Sequence, residues 1–237
     1  MANTYFKFKQ FTINQDHCAM KVGTDGVLLG SYANVENAQN ILDIGTGTGL
    51  IALMLAQRTN TKITAIEIEK QASIQAKENV ENSIFSNQIK VINTSLQDYV
   101  KSTNNKFYLI VSNPPYFQNS YKAETNQRTT ARHTTELTYN ELISNSEKLL
   151  SKNGTICVII PKDEEQNLIE IANENNLFVI NFLNIKPTPS KPAKRIILTF
   201  SKTEKPLIQS ELIIEDKGRH NYSDKYIELT KEFYLNL

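Results

Sequence analysis

The chain has 237 residues, 40% hydrophobic and 22% charged, which supplies the core of one large or two small domains and excludes a disordered polymer. With 26 Lys and Arg against 25 Asp and Glu the net charge is +1, so a polybasic nucleic-acid coat is excluded while a local basic face is not. No window reaches the roughly 18 apolar residues of a membrane span, and the start, MANTYFKFKQ, lacks the apolar stretch of a signal peptide. Cys18 and Cys157 fit neither a metal-ligand spacing nor a disulfide framework, so a reducing cytoplasm is expected, with no membrane and no metal.

In chain order, Thr24 or Asp25 is suited to cap a short helix running through Val27, Leu28 and Tyr32. Residues 41–44 form an apolar strand running into a glycine cluster, and 50–58 follow with helical spacing. Residues 62–68 read as a β-branched strand, 71–82 as a polar surface helix, 89–93 as a third strand and 106–112 as a fourth, ending in Asn-Pro-Pro. Residues 139–150 are amphipathic, 154–160 make a fifth strand that takes Cys157 into the core, and 164–175 make a helix. Residues 177–185 and 195–201 complete seven strands. Strands alternating with helices of roughly 10–15 residues predict an α/β fold, a mostly parallel seven-stranded sheet with helices on both faces. That core occupies residues 38–202 of a single domain spanning 1–237, with 1–37 as a leading segment. Residues 203–237, with one β-like run at 207–214 and an amphipathic stretch at 225–234, read as an appendage. The least regular segments are 101–106, 118–135 and 186–194.

The strongest local signal is Leu42-Asp-Ile-Gly-Thr-Gly-Thr-Gly-Leu50, a strand that runs into Gly45, Gly47 and Gly49 and then a helix. Without Cβ atoms the backbone turns tightly and lets a ligand approach, and the helix start beyond it carries free N–H groups. The dinucleotide pattern G-x-G-x-x-G fails because its last position is Leu50, and no phosphate-binding P-loop is present. Asp43 suits a ligand with an ammonium group rather than a pyrophosphate, and Glu67, at the end of the next strand, can accept from two ribose hydroxyls. This combination resembles the S-adenosylmethionine site of Rossmann-like class I methyltransferases. The resemblance implies S-adenosylmethionine as cofactor and a further contact to its adenine after the third strand. Ser95 stands at that position where many relatives carry Asp; Asp98 is the alternative, unless it caps the following turn.

Ser112-Asn-Pro-Pro-Tyr-Phe117 follows the fourth strand. Two prolines stiffen the turn and hold Asn113 extended, at a strand end where open α/β sheets bind ligands. The tetrapeptide resembles the motif of methyltransferases acting on planar amino or amide nitrogens. That resemblance gives the Asn113 side chain and the Pro114 carbonyl the task of accepting N–H bonds from a poorly nucleophilic amine, and Tyr116 that of stacking on an extracted base. His133 and His220 are not needed as bases.

Phe8-Lys-Gln-Phe11, Cys18 to Gly30, Leu53-Met-Leu-Ala-Gln-Arg58 and Asn113-Pro-Pro-Tyr116 together resemble the bacterial tRNA adenine N6-methyltransferases that modify adenosine 37, beside the anticodon of a valine tRNA. In such enzymes the leading segment covers the cofactor, which places Lys21 and Thr24 near its carboxylate; Lys21 reads equally as a solvated surface cation. The implied partner is the tRNA anticodon loop, met by a monomer. Residues 186–205 hold Lys186, Lys191, Lys194, Arg195, Lys202 and Lys205 against Glu204 alone, and 122–133 hold Lys122, Arg128 and Arg132 against Glu124. Both tracts are expected on the substrate side, where they would meet phosphates. The competing readings are a protein-glutamine methyltransferase, an rRNA or DNA amino-methyltransferase, and an RNA- or cofactor-binding module without catalysis.

Overall fold

The computed structural model describes residues 3–16, 18, 21–115 and 137–236. The apolar runs of the middle of the chain become strands buried on both faces, as parallel sheets require. Their order of appearance is β1 (Tyr5–Lys7), β2 (Thr12–Asn14), α1 (Thr24–Tyr32), β3 (Asn40–Ile44), α2 (Leu50–Arg58) and β4 (Lys62–Glu67). Next come α3 (Lys70–Glu81), β5 (Ile89–Asn93), α4 (Leu96–Ser102), β6 (Phe107–Ser112), α5 (Tyr139–Leu149) and β7 (Leu150–Pro161). A 3₁₀ turn (Lys162–Glu164), α6 (Glu165–Glu174), β8 (Phe178–Lys186), β9 (Arg195–Ser201), β10 (Ile208–Ile213) and α7 (Asp224–Thr230) complete the described fold.

The main sheet has the order β10-β8-β9-β7-β6-β3-β4-β5 and eight strands rather than the seven expected. The additional strand, β10, comes from the segment read as an appendage and pairs in parallel with β8. Among the described strands of this sheet only β9 runs antiparallel to its neighbours, and β1 and β2 form a separate antiparallel pair. From β3 the chain steps outward to β4 and β5 and then returns to β6 on the other side of β3. This reversal opens a crevice at the carboxyl ends of β3 and β6, where open α/β sheets bind ligands.

Side-chain alternation along each strand builds two cores. One face carries Ile41, Ile63, Leu109 and Ile159 beneath α1 and α2. The other carries Leu42, Ile66, Ile110 and Ile156 beneath α4, α5 and α6. The α1 and α2 helices touch closely: a Cβ on Gly30 would lie 2.8 Å from Met54 Sδ and 2.9 Å from its Cβ. Arg58, at the end of α2, donates to Gly30 O and Ala33 O at 2.8 and 2.7 Å, and so caps the carbonyls of α1.

The expected cap of α1 is corrected. Its N-cap is Gly23, without a side-chain bond, and Thr24 is already helical. The Asp25 carboxylate instead pairs with Arg195 Nε at 2.9 Å. Both chain ends meet on one side of the sheet. Lys9 N donates to Phe233 O at 2.8 Å, and Tyr234 packs on Phe6 and Phe8 with centroids 6.0 and 5.9 Å away.

Candidate active site

Beyond Ile44 the chain turns through Gly45, Gly47 and Gly49 at φ of 69°, 56° and 84°, a region that costs an ordinary L-residue about 1–2 kcal/mol. A Cβ on Gly45 or Gly47 would meet nothing within 4 Å, because both face an open cleft, whereas one on Gly49 would touch Ala76 at 3.5 Å. The first two glycines therefore leave room for a ligand, and the third seats the turn on α3. Several amides of the turn itself are taken up within the protein, ahead of the helix start. Gly45 and Thr46 donate to Ile66 O at 2.9 and 3.1 Å, Gly47 to Glu67 Oε2 at 2.9 Å, and Gly49 to Thr46 O at 2.9 Å.

The cleft has a volume of about 830 Å³, in the range of small-molecule sites. Ile44, Ile66, Ile68, Leu96 and Leu137 supply apolar walls. Glu67 lines the cleft, its Oε2 accepting from Gly47 N and its Oε1 from Glu69 N, both at 2.9 Å. Each oxygen keeps a second lone pair for a ligand hydroxyl. Ser95 caps α4, accepting from Asp98 N at 3.0 Å and donating to Asp98 Oδ2 at 2.8 Å. The two residues offered by the sequence as alternatives are thus one hydrogen-bonded pair on the cleft wall.

The backbone amides of Gln71 and Ala72 hold the Glu69 carboxyl below its ordinary pKa, the Ser95 hydroxyl and Lys101 do so for Asp98, and chiefly the Thr138 amide does so for Glu141. These lining carboxylates are ionised at neutral pH, and none of the described lining residues is Lys, Arg or His. Such a wall repels a pyrophosphate and suits a cationic nucleoside. Cys18 also lines the cleft, and burial together with Glu67 pushes its thiol up to about 11, so it stays protonated.

Asn113, Pro114 and Pro115 leave β6 opposite the glycine turn and line the same cleft. The two strand ends are tied where Ser112 Oγ donates to Ile44 O at 2.9 Å. Asn113 is half-buried and Pro114 buried. Tyr116, Arg128 and Arg132 lie outside the described residues.

Asp43 is placed differently from its expected contact with an ammonium group. It is fully buried behind the turn, with Oδ2 accepting from Thr46 Oγ1 at 2.6 Å. Burial raises its pKa to about 7, and the Thr46 hydroxyl and the Ala52 amide in the first turn of α2 pull it back in part. It thus ties the turn to the start of α2 from behind, through the Thr46 hydroxyl and the Ala52 amide. Lys21 and Thr24 are exposed and do not line the described cleft. Lys191 and Lys194 are exposed on the loop joining β8 to β9, at the sheet end that carries the cleft, while Arg195 is half-buried against Asp25. The tract 186–205 does not form one patch: Lys202 and Lys205 follow β9 at the opposite end, and Lys202 pairs with Glu147 at 2.8 Å.

The family model "Methyltransferase small domain" matches residues 17–174, which include the glycine turn, Glu67, Ser95 and Asn113. The tRNA1(Val) (adenine(37)-N6)-methyltransferase of Parabacteroides distasonis is 46% identical over 237 residues and covers all of both chains. That of Trichodesmium erythraeum is 49% identical over 238 residues, covering 99% of each chain. The chain belongs to this methyltransferase family. A solved structure described as a predicted O-methyltransferase of Agrobacterium tumefaciens superposes with a TM-score of 0.70 at 19% identity, covering 88% of this chain and 96% of that one, a likeness of fold.

Within this methyltransferase, the polar cleft residues that the sequence had not singled out include Glu69, Gln97 and Glu141. Gln97 Nε2 donates to Glu141 Oε1 at 3.1 Å and so joins α4 to α5 across the cleft wall. Thr138-x-x-Glu141 forms a capping box at the start of α5, a pattern visible in the sequence as a helix start. Among the described residues no group of three His, Cys, Asp or Glu side chains is placed to hold a metal ion, and no helix is long and apolar enough to cross a membrane.

Proposed function

We propose that this chain methylates the exocyclic N6 of adenosine 37 in a valine tRNA, with S-adenosylmethionine as methyl donor. One observation carries the reading: Asn113-Pro114-Pro115 and the Gly45-Gly47-Glu67 turn share one acid-walled cleft at the switch point of the sheet. The residues fit that donor. Gly45 and Gly47 leave space for close approach, Glu67 keeps acceptor capacity for two ribose hydroxyls, and Ile68, Leu96 and the Ser95–Asp98 pair form a wall with an apolar face and polar edge for an adenine. When bound, S-adenosylmethionine supplies an electrophilic methyl group on a cationic sulfur, a charge that the ionised cleft carboxylates favour.

The chain's own task is to make the amine nucleophilic. An adenine amino group delocalises its lone pair into the ring. Asn113 Oδ1 and the Pro114 carbonyl accept its two N–H bonds, which localises that lone pair and stabilises the positive charge growing on nitrogen. The alkylated nitrogen is acidic enough to shed its proton to water, so no side-chain base is required. The rigid Pro-Pro sequence holds both acceptors in place before substrate arrives. Lys191 and Lys194, on the same end of the sheet, supply contacts to RNA phosphates without reading sequence.

The test is transfer of labelled methyl from S-adenosylmethionine into separated tRNA, rRNA, DNA and protein. Label recovered from tRNA as N6-methyladenosine is expected. Asn113→Ala is expected to lower kcat by about 10²–10³-fold, the scale of losing one preorganised polar contact to a developing charge, with cofactor affinity within about threefold. Label in protein would replace this reading with a glutamine methyltransferase, and cofactor binding without transfer would replace it with a binding module.

A further inference from the structure

Asn79 sits in the third turn of α3, 1% exposed, and is not among the residues that line the cleft. Its amide makes three hydrogen bonds of 2.9 Å. Oδ1 accepts from Asn14 N, and Nδ2 donates both to Asn14 O and to Thr48 O. A carboxamide is the side chain that can stand in for a peptide group, with one acceptor and two donors. Asn79 thus gives Asn14, 65 residues away at the end of β2, the two-bond pairing that a neighbouring strand would give. It uses its second donor on Thr48, between Gly47 and Gly49 of the turn.

The segment leaving Asn14 goes on to border the cleft. Gln15, also buried, donates from Nε2 to Asn3 O at 3.0 Å and accepts from Val22 N at 2.8 Å. Cys18 between them lines the cleft directly. One buried amide therefore anchors both Asn14, close in sequence to the wall residue Cys18, and Thr48, in the turn whose Gly45 and Gly47 form the cleft floor.

We infer that Asn79 is a positioning residue for cofactor binding, fixing the N-terminal segment and the glycine turn at one separation. The inference rests on the reading of the cleft as the S-adenosylmethionine site. A wall and floor tied through one group must order together, so cofactor binding and order in the leading segment are reciprocally coupled. The methyl-accepting side, at Asn113, shares none of these bonds, so the transfer step itself is insensitive to Asn79.

The experiment uses the full chain with Asn79→Ala and Asn79→Asp. The second variant is isosteric but sets a carboxylate against the carbonyls of Asn14 and Thr48. Titration with S-adenosylhomocysteine by calorimetry, and initial rates with varied S-adenosylmethionine and varied tRNA, give the decisive split. The expected result is a rise of tenfold or more in the Kd of S-adenosylhomocysteine and the KM of S-adenosylmethionine. The kcat at saturating cofactor and the KM for tRNA are expected to stay within about threefold. A fall in kcat with unchanged cofactor KM, or wild-type affinity in Asn79→Ala, overturns the inference. Hydrogen exchange on the wild-type protein tests it without any variant: S-adenosylhomocysteine is expected to slow exchange in residues 12–22 and 46–50 together, and protection confined to one of them overturns it. If the wild-type chain binds no S-adenosylhomocysteine, the cofactor reading itself falls and this inference falls with it.

Discussion

Asp43 is the residue at which burial and ionisation conflict most directly. Its folded pKa of about 7 lies above the unfolded value of 3.8. Between those values the folded protein keeps a proton that the unfolded chain has released, so this residue's contribution to stability is present at low pH, falls as pH rises to about 7 and is constant above. Asp43→Asn removes the titration. The gap in Tm between variant and wild type is therefore expected to shift in the variant's favour from pH 4 to 7 and then level off; parallel curves would show that the carboxyl ionises in the fold at its ordinary pKa. Residue type and spacing made Asp43 and Glu67 legible as acidic companions of the glycine turn. The orientation of Asp43 was not legible. Alternation in β3 turns Asp43 toward the face that α2 covers, while its neighbour Ile44 lines the cleft.

Among the elements, the central strands were readable because β-branched runs bounded by glycine, proline and polar turns leave few alternatives. Residues 50–58, 89–93 and 195–201 appear with the bounds the sequence suggests. The hairpin of β1 and β2 was not legible, since strands of three residues are too short to display alternation. The first four residues of β7, 150–153, were missed because Lys152 and Asn153 carry no strand signal; just beyond them β7 passes so near β6 that a Cβ on Gly154 would lie 2.7 Å from Phe107 O. Contact at this range also governs α1 and α2. Gly30→Val would force Met54 to move from 2.8–2.9 Å contacts, an overpacking cost of about 1–3 kcal/mol. The expected loss is about 2–12 °C in Tm for a chain of this size, read by differential scanning fluorimetry. An unchanged Tm would mean that the two helices can separate freely.

At the scale of the molecule, sheet direction sorts charges that are contiguous in the chain. Within the tract 186–205, Lys186 is paired with Glu211 at 3.6 Å, Arg195 with Asp25 at 2.9 Å, and Lys202 with Glu147 at 2.8 Å. Lys191 and Lys194 are left exposed at the cleft end, with no carboxylate partner among the described residues. If they meet RNA phosphates as proposed, Lys191→Ala with Lys194→Ala should reduce the slope of log affinity for tRNA against log salt by about 1.4–1.8, whereas Lys202→Ala with Lys205→Ala should leave it unchanged. Fluorescence anisotropy at several salt concentrations separates the two pairs, and equal effects would place the RNA elsewhere.

The glycine turn, Glu67, the Asn-Pro-Pro corner and the alternation of strands with helices were all settled by local pattern. Each depends on backbone conformation, residue type and spacing within about 30 residues of chain, which a linear sequence carries. The placement of β10 beside β8, the withdrawal of Asp43 behind the turn, the division of the basic tract and the anchoring of residues 14 and 48 on Asn79 came with the folded chain. They depend on strand order, on which face a side chain takes and on hydrogen bonds between groups far apart in the chain, and no local pattern encodes these until the sheet has assembled.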